Sequence, residues 1–124
     1  MDLKNQTMND FMNTETIFGL VIVSFVAIIM ILIGVFQILK KDDPVGFYNV
    51  IDPPKREEIS DVLQWNKKHG MIWIIYGVCI ELGFWLGFVC PNEVLQVIFM
   101  MGGIIIPLPF MVIGHQYLVK KYVK

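Results

Sequence analysis

The stretch TIFGLVIVSFVAIIMILIGVFQIL, residues 16–39, decides the fold of this chain. It contains 24 consecutive residues without a charge, and a helix needs about 20 apolar residues to cross the hydrocarbon core of a membrane. A cleavable signal peptide has a shorter apolar core, of about 7–15 residues, behind a positively charged start. The residues before this stretch instead carry one lysine and three acids. The pattern therefore predicts a membrane-spanning helix that is retained.

Two further apolar blocks, residues 71–89 and 94–117, predict a second and a third span. The short CPNE segment between them, residues 90–93, requires an antiparallel hairpin, whereas residues 40–70 form a longer connector between the first two spans. The composition is 56% hydrophobic and only 17% charged, compared with about 25% charged residues in a soluble domain. We therefore predict one all-α domain, residues 1–124, that is an integral membrane protein with three transmembrane helices.

The distribution of basic residues predicts the orientation of these spans. Nine of the ten basic residues lie in the connector or in the C-terminal tail, and three spans place these two regions on the same side. Only Lys4 lies on the other side. Because basic residues accumulate in cytoplasmic loops, we expect a multi-pass protein of the cell membrane, with its N-terminus outside and its C-terminus in the cytoplasm.

The connector sequence PPKREEISDVLQWNKKHG, residues 53–70, predicts a short amphipathic helix that Asp52 caps. Ile59, Val62 and Leu63 fall on one helical stripe, while the charged residues fall mostly elsewhere. Such a helix lies at a membrane interface. It either docks a partner or senses lipid, or it simply lies on the bilayer and leads into the second span.

Glu81 is the one charged residue within the second apolar block. A carboxylate at the centre of a bilayer costs a few kcal/mol or more, so we expect a neutral acid that needs a hydrogen-bond acceptor. Pro107 and Pro109 cannot donate to the carbonyls of Gly103 and Ile105, which leaves two acceptors at about the depth of Glu81. We therefore predict that Glu81 bonds one of these carbonyls and ties the second span to the third.

Small residues suggest how the spans pack. Gly102 and Gly103 permit another helix to come close to the third span. Gly83 and Gly87 form a small-xxx-small pattern on the face nearly opposite Glu81, where the first span or another copy of the chain would pack. Glu81 itself is either a structural tie between helices or, alternatively, a proton or cation site in a small transporter or channel-forming oligomer.

Other patterns favour no catalytic or nucleic-acid function. Cys79 and Cys90 are about 16 Å apart along a continuous helix, which is too far for a disulfide. His69 and His115 near the cytoplasmic interface, with Asp61 nearby, suit a metal or a membrane enzyme subunit, but neither HxxxH nor HExxH spacing is present. We predict no metal, no cofactor and no enzymatic activity, and the basic residues alternate with acids next to the membrane, so we expect no nucleic-acid partner.

The segment PVGFYNVIDPPKREEISDVLQWNKKHGMIW resembles the C-terminal region of the SdpI/YhfL family of small bacterial membrane proteins. The resemblance covers about residues 44–77 and is carried by five positions: Gly46, Phe47, Trp65, Asn66 and Gly70. Tyr48 and Asn49 stand where that family usually carries arginine and threonine, so the role of that arginine is not carried over. The resemblance implies an immunity or sensing role in a bacterial membrane, with these five residues contacting a partner.

The function that we expect from these observations is non-enzymatic. The lipid bilayer surrounds the spans, and the cytoplasmic connector binds another protein, as an immunity or sensing factor would. Homo-oligomers through the glycine face are compatible with this expectation. The transporter and the enzyme subunit remain the alternatives.

Overall fold

A computed structural model describes residues 14–46 and 53–124, which form four α-helices and one short 3₁₀ turn. Helix α1 is Thr14–Leu39 and helix α2 is Val62–Val89. Helix α3 is Glu93–Ile105 and helix α4 is Pro107–Tyr122. The 3₁₀ turn is Arg56–Glu58. The prediction of an all-helical chain is confirmed for the described residues.

Three helical segments are long and apolar enough to cross a membrane, as the sequence predicts. They are Ile17–Leu39, Val62–Val89 and Glu93–Tyr122. The third segment consists of α3 and α4, because the helix is interrupted at Ile106 just before Pro107. A proline lacks the amide hydrogen that would continue the helical ladder. The backbone of Ile106 stays in the right-handed helical region, so the interruption is local.

Local capping explains where α2 and α3 begin. The Asp61 side chain accepts a hydrogen bond from the amide of Gln64, at 3.1 Å, and this satisfies one of the amides that the first turn of a helix leaves without a partner. Asn92 does the same for α3, with its side-chain oxygen 2.9 Å from the amide of Val94. The hairpin between α2 and α3 is therefore short, as the CPNE segment predicts.

The separate amphipathic helix predicted for the connector is not formed by the described residues. The 3₁₀ turn at Arg56–Glu58 is followed by the cap at Asp61, and the residues from Val62 onward belong to α2. The Asp61 side chain caps the first turn of α2, whereas the 3₁₀ turn has no side-chain cap at Lys55. Helix α2 therefore begins after Asp61 and continues without a break into the second span. Asp52, the predicted cap, and Phe47 lie outside the described residues.

Helix α2 is the element on which the other helices pack. Gly70 of α2 lies against Gly34 of α1, and Gly77 lies against Ala27. Residue numbers thus rise along α1 as they fall along α2, which makes the pair antiparallel. A Cβ atom on Gly70 would collide with the carbonyl oxygen of Gly34, so the two backbones are in direct contact, as small residues permit.

The other glycine face of α2 packs on α3. A Cβ atom on Gly83 would lie 2.7 Å from the carbonyl oxygen of Phe99 and 2.8 Å from the Cα atom of Gly103. Gly87 lies against Met100 of the same helix. The partner that we predicted for this face, the first span or a second copy, is therefore wrong: the face is occupied by the third span of the same chain.

Two clusters of buried apolar side chains follow the length of α2. One lies beside the ends of the helices at Leu39, Val62 and Tyr122, which we call the connector end; its buried members are Val45, Ile59, Trp65, Leu118 and Tyr122. The other lies nearer the middle of α2 and contains Ala27, Tyr76, Ile80 and Met111. We call the opposite end of the bundle, at the turn between α2 and α3, the hairpin end.

Replacing Gly70 with alanine tests the contact between the α1 and α2 backbones. Because the added Cβ meets the Gly34 carbonyl, the helices must move apart, and we expect a loss of about 1–3 kcal/mol of stability. The matched control is Gly102→Ala, whose Cβ would have only a side-chain atom of Ile106 near it, at 3.4 Å. The measurement is the midpoint of thermal unfolding in detergent; equal midpoints for the two variants would contradict the packing.

Candidate functional site

The connector end contains a buried amide that holds a loop by its backbone. The side-chain oxygen of Asn66 accepts a hydrogen bond from the amide of Val45, at 2.9 Å. Its side-chain nitrogen donates to the carbonyl oxygens of Lys40 and Asp43, at 2.8 and 2.9 Å. Asn66 has 0% of its surface exposed, so each of these bonds replaces one that water would otherwise make. We call these contacts, together with those of Trp65 below, the connector clamp.

Trp65 completes the connector clamp. Its indole nitrogen donates to the carbonyl oxygen of Val45, at 2.9 Å, and only 1% of its surface is exposed. The ring packs in the same cluster as Val45 and Leu118. Residues 40–46 are thus fixed to the first turns of α2 chiefly through their own main-chain atoms, which leaves the side chains of residues 40–43 exposed to the surroundings.

A short antiparallel pairing joins the C-terminal residues to the second half of the connector. The amide of Ser60 donates to the carbonyl oxygen of Tyr122, and the amide of Lys124 donates to that of Glu58, both at 2.8 Å. Ile59 and Val123 form the bridge between these two bonds. The end of α4 and the start of α2 are therefore held together at the same end of the bundle as the connector clamp.

Two histidines form a direct hydrogen bond between α2 and α4. The Nε2 atom of His69 lies 2.9 Å from the Nδ1 atom of His115, and the Nδ1 atom of His69 lies 2.9 Å from the carbonyl oxygen of Trp65. A carbonyl only accepts, so the Nδ1 atom of His69 carries the hydrogen. In a neutral His69, the Nε2 atom then accepts, and His115 donates.

This histidine pair ties α4 to the residues that form the connector clamp. His69 is fully buried, and its ring lies against that of Trp65 with a distance of 4.1 Å between the ring centres. Within residues 14–46 and 53–124, no group of three or more histidine, cysteine or acidic side chains is arranged to hold a metal ion. Asp61, which the sequence suggested as a third ligand, instead caps α2. The geometry supports a structural tie between helices.

Glu81 contacts a different helix from the one predicted. Its Oε1 atom accepts hydrogen bonds from the hydroxyl of Ser24 in α1 and from the indole nitrogen of Trp85, both at 2.8 Å. The predicted bond to a carbonyl of the third span is wrong, because Glu81 lies on the face of α2 that packs on α1. Besides the histidine pair, a polar link from α2 to the third span is made by Tyr76, whose hydroxyl donates to the carbonyl oxygen of Ile104 in α3 at 3.3 Å.

The structure also locates the remaining residues that the sequence singled out. Gly70 is buried at the α1 contact, and the carbonyl of Gly46 accepts a bond from the Gln37 side chain at 3.5 Å. Trp65 and Asn66 are buried, so these two side chains are not exposed for the direct partner contact that the resemblance implies. Gly102 faces the side chain of Ile106 in its own helical segment, while Gly103 lies at the contact with α2.

The direct hydrogen bond between the two histidines was not predicted from the sequence. The sequence placed His69 and His115 together near one interface, but as candidate ligands of a metal. Because an antiparallel hairpin brings the start of the second span next to the end of the third, His69 in the second turn of α2 and His115 two turns before the end of α4 lie close enough to bond each other directly.

The exposed charges at the connector end come from every element that reaches it. They include residues of both signs, and the side chains that the structure describes as exposed are Lys40, Lys41, Asp42, Asp43, Lys55, Arg56, Glu57, Glu58, Asp61, Lys67, Lys68, Lys120, Lys121 and Lys124. The ammonium group of Lys121 lies 5.5 Å from the ring centre of Tyr122, a favourable cation–π distance. This end thus has a charged surface on a fixed backbone.

No protein-family model, no curated protein and no solved structure matches this chain. The resemblance to the SdpI/YhfL family therefore stays a prediction.

Replacing Asn66 with alanine tests the connector clamp. The change leaves the amide of Val45 and the carbonyls of Lys40 and Asp43 without their partner, and each buried group left unsatisfied costs about 1–3 kcal/mol. We expect the Val45 amide to exchange with deuterium roughly ten- to a hundredfold faster. The control is Lys67→Ala, an exposed neighbour in the same turn. Unchanged exchange in the Asn66 variant would show that the clamp does not hold the loop.

The hydrogen bond from His69 to Trp65 predicts which nitrogen of the histidine carries the hydrogen. At neutral pH in lipid, nitrogen-15 solid-state NMR of labelled protein should show His69 with Nδ1 protonated and Nε2 accepting a hydrogen bond. A His115→Phe variant removes the donor and should shift the Nε2 resonance while Nδ1 stays protonated. A neutral His69 with its hydrogen on Nε2 would contradict the arrangement.

Proposed function

We propose that this chain is a multi-pass protein of the cell membrane, with its N-terminus outside and the connector end in the cytoplasm. The support for insertion is the length and apolar composition of the three helical segments. The support for orientation is that nine of the ten basic residues belong to the connector or the C-terminal tail, and cytoplasmic loops are enriched in lysine and arginine. Helix α2 runs antiparallel to both α1 and α4, so the end of α1 and the end of α4 lie at the same end of the bundle.

We propose further that the protein is non-enzymatic and that its connector end binds another protein. The observation that carries this proposal is the connector clamp. Asn66 and Trp65 use buried hydrogen bonds to fix the main chain of residues 40–46. A surface held in one conformation before binding loses less conformational entropy when a partner docks.

The chemistry of the surface indicates the kind of partner. Lys40 and Lys41 are followed directly by Asp42 and Asp43, and all four side chains are exposed. Complementary charges across an interface contribute to specificity and to the rate of association more than to affinity. The first turn of α2 adds an exposed apolar residue, Leu63, at the place where we expected an interfacial helix. We infer that the partner is a protein with a polar, charged docking face.

The immunity or sensing role is the form of this function that the SdpI/YhfL resemblance implies. Both roles need a membrane protein that binds another protein without changing it chemically. A fixed main chain at residues 40–46, next to the bilayer, suits either role, because a partner could be held at the membrane or recognised there. The support for the bacterial setting is this resemblance alone.

Site-specific photocrosslinking in cells tests the proposed binding surface. With the crosslinking residue at Asp42, we expect an adduct of one defined mass. With the residue at Phe110, an exposed apolar position in α4, we expect none. In an Asn66→Ala background, the adduct at position 42 should be largely lost while the protein still fractionates with membranes.

Two results would contradict the proposal. The first is the absence of any adduct from Asp42 in the otherwise unaltered chain. The second is an adduct that forms equally well with Asn66 and with alanine at that position, because binding would then not depend on the fixed loop. Lys67→Ala serves as the matched control for loss of a surface side chain.

A further inference from the structure

Glu81 lies within the apolar part of α2 and does not belong to the connector end. It lies eight positions before Val89, the last residue of the helix, which corresponds to about 12 Å along the helix axis. If the chain is inserted as proposed above, on which this inference rests, the carboxyl group lies within a membrane-spanning helix, where ionisable residues usually mark a functional site.

The two oxygens of the Glu81 carboxyl group have different surroundings. The Oε1 atom accepts two hydrogen bonds, from Ser24 and from Trp85. The Oε2 atom is buried and has no hydrogen-bond partner among the described residues. Because an indole nitrogen only donates, Oε1 is the accepting oxygen whether the group is ionised or neutral. A proton would therefore be carried by Oε2.

The groups that face Glu81 supply no opposite charge. Residues 16–39 of the first span and residues 94–114 of the third contain no charged side chain. The other titratable side chains of residues 71–89 are Tyr76 and Cys79, and the hydroxyl of Tyr76 bonds Ile104 on the α3 side. An ionised Glu81 would thus be an isolated negative charge in this part of the described bundle.

These contacts favour a proton over a metal cation as the ligand. The Ser24 O–H and the Trp85 N–H point at Oε1 and repel a cation there. A metal ion needs several oxygen ligands, whereas Oε2 is the one carboxyl oxygen that remains to bind it. Because a proton would be carried by Oε2, the group can take it up and release it while Oε1 keeps its contacts to Ser24 and Trp85.

We propose that Glu81 is a reversible proton-binding site inside the membrane, with Oε2 as the atom that takes the proton. Binding at this site does not involve the connector clamp, so it is a property beyond the proposed protein-binding function. Binding of the proton weakens the hydrogen bond between Ser24 of α1 and Glu81 of α2, because a hydroxyl bonds an ionised oxygen more strongly than a neutral one.

Infrared titration of the full chain in lipid vesicles tests this proposal. We expect a carboxylic acid band that is present at low pH, is lost as the pH rises and is absent from Glu81→Gln. In Ser24→Ala, one donor to Oε1 is removed, so the pH at which the band is lost should change. A band that does not change with pH, or a midpoint that Ser24→Ala leaves in place, would overturn the proposal.

A second measurement needs no variant of Glu81. An apolar carbodiimide in the membrane reacts with a protonated carboxyl group by adding its O–H across one C=N bond, and the adduct is identified on the peptide by mass spectrometry. Labelling of Glu81 should fall as pH rises, and labelling that is independent of pH would again overturn the proposal. Flotation of the protein with vesicles after an alkaline wash tests membrane insertion separately.

Discussion

Direct contact between helix backbones is the constraint on which the rest of this structure depends. Gly70 meets Gly34 on one face of α2, and Gly83 meets Gly103 on another. Apolar side chains gain little by packing together when lipid is the alternative, so helices in membranes associate through close packing and hydrogen bonds. The close approach at these glycines brings α1, α3 and α4 near enough to α2 for its polar side chains to reach them.

Besides the bond from Tyr76 to α3, three polar contacts connect α2 to its neighbours. At the connector end, Asn66 holds the loop that follows α1, and His69 bonds His115 of α4. Towards the hairpin end, Glu81 bonds Ser24 of α1. The first two contacts fix a surface that a partner could recognise, whereas the third leaves one carboxyl oxygen open to a proton. One helix thus carries two functions that we propose at separate depths.

The sequence was sufficient to predict an all-helical chain with three segments long enough to cross a membrane. A long run of uncharged apolar residues is compatible with few structures other than a membrane-spanning helix. It was not sufficient to decide which face of α2 meets which helix. Gly83 and Glu81 were correctly placed on opposite faces, but their neighbours were interchanged. Periodicity gives the angle between two residues on one helix, and it carries no information about which of two apolar helices packs on each side. The hydrogen bond between His69 and His115 was not predicted for a related reason, since it depends on a contact between residues far apart in sequence.

The hydrogen bonds of Asn66 hold residues 40–46 in one conformation. Pulsed electron paramagnetic resonance between spin labels at Asp42→Cys and Lys120→Cys, both exposed positions, measures this directly in lipid, with Cys79 and Cys90 replaced by alanine. We expect a single narrow distribution of distances that becomes broad when Asn66 is changed to alanine. A broad distribution in the presence of Asn66, or one that the change leaves narrow, would contradict it.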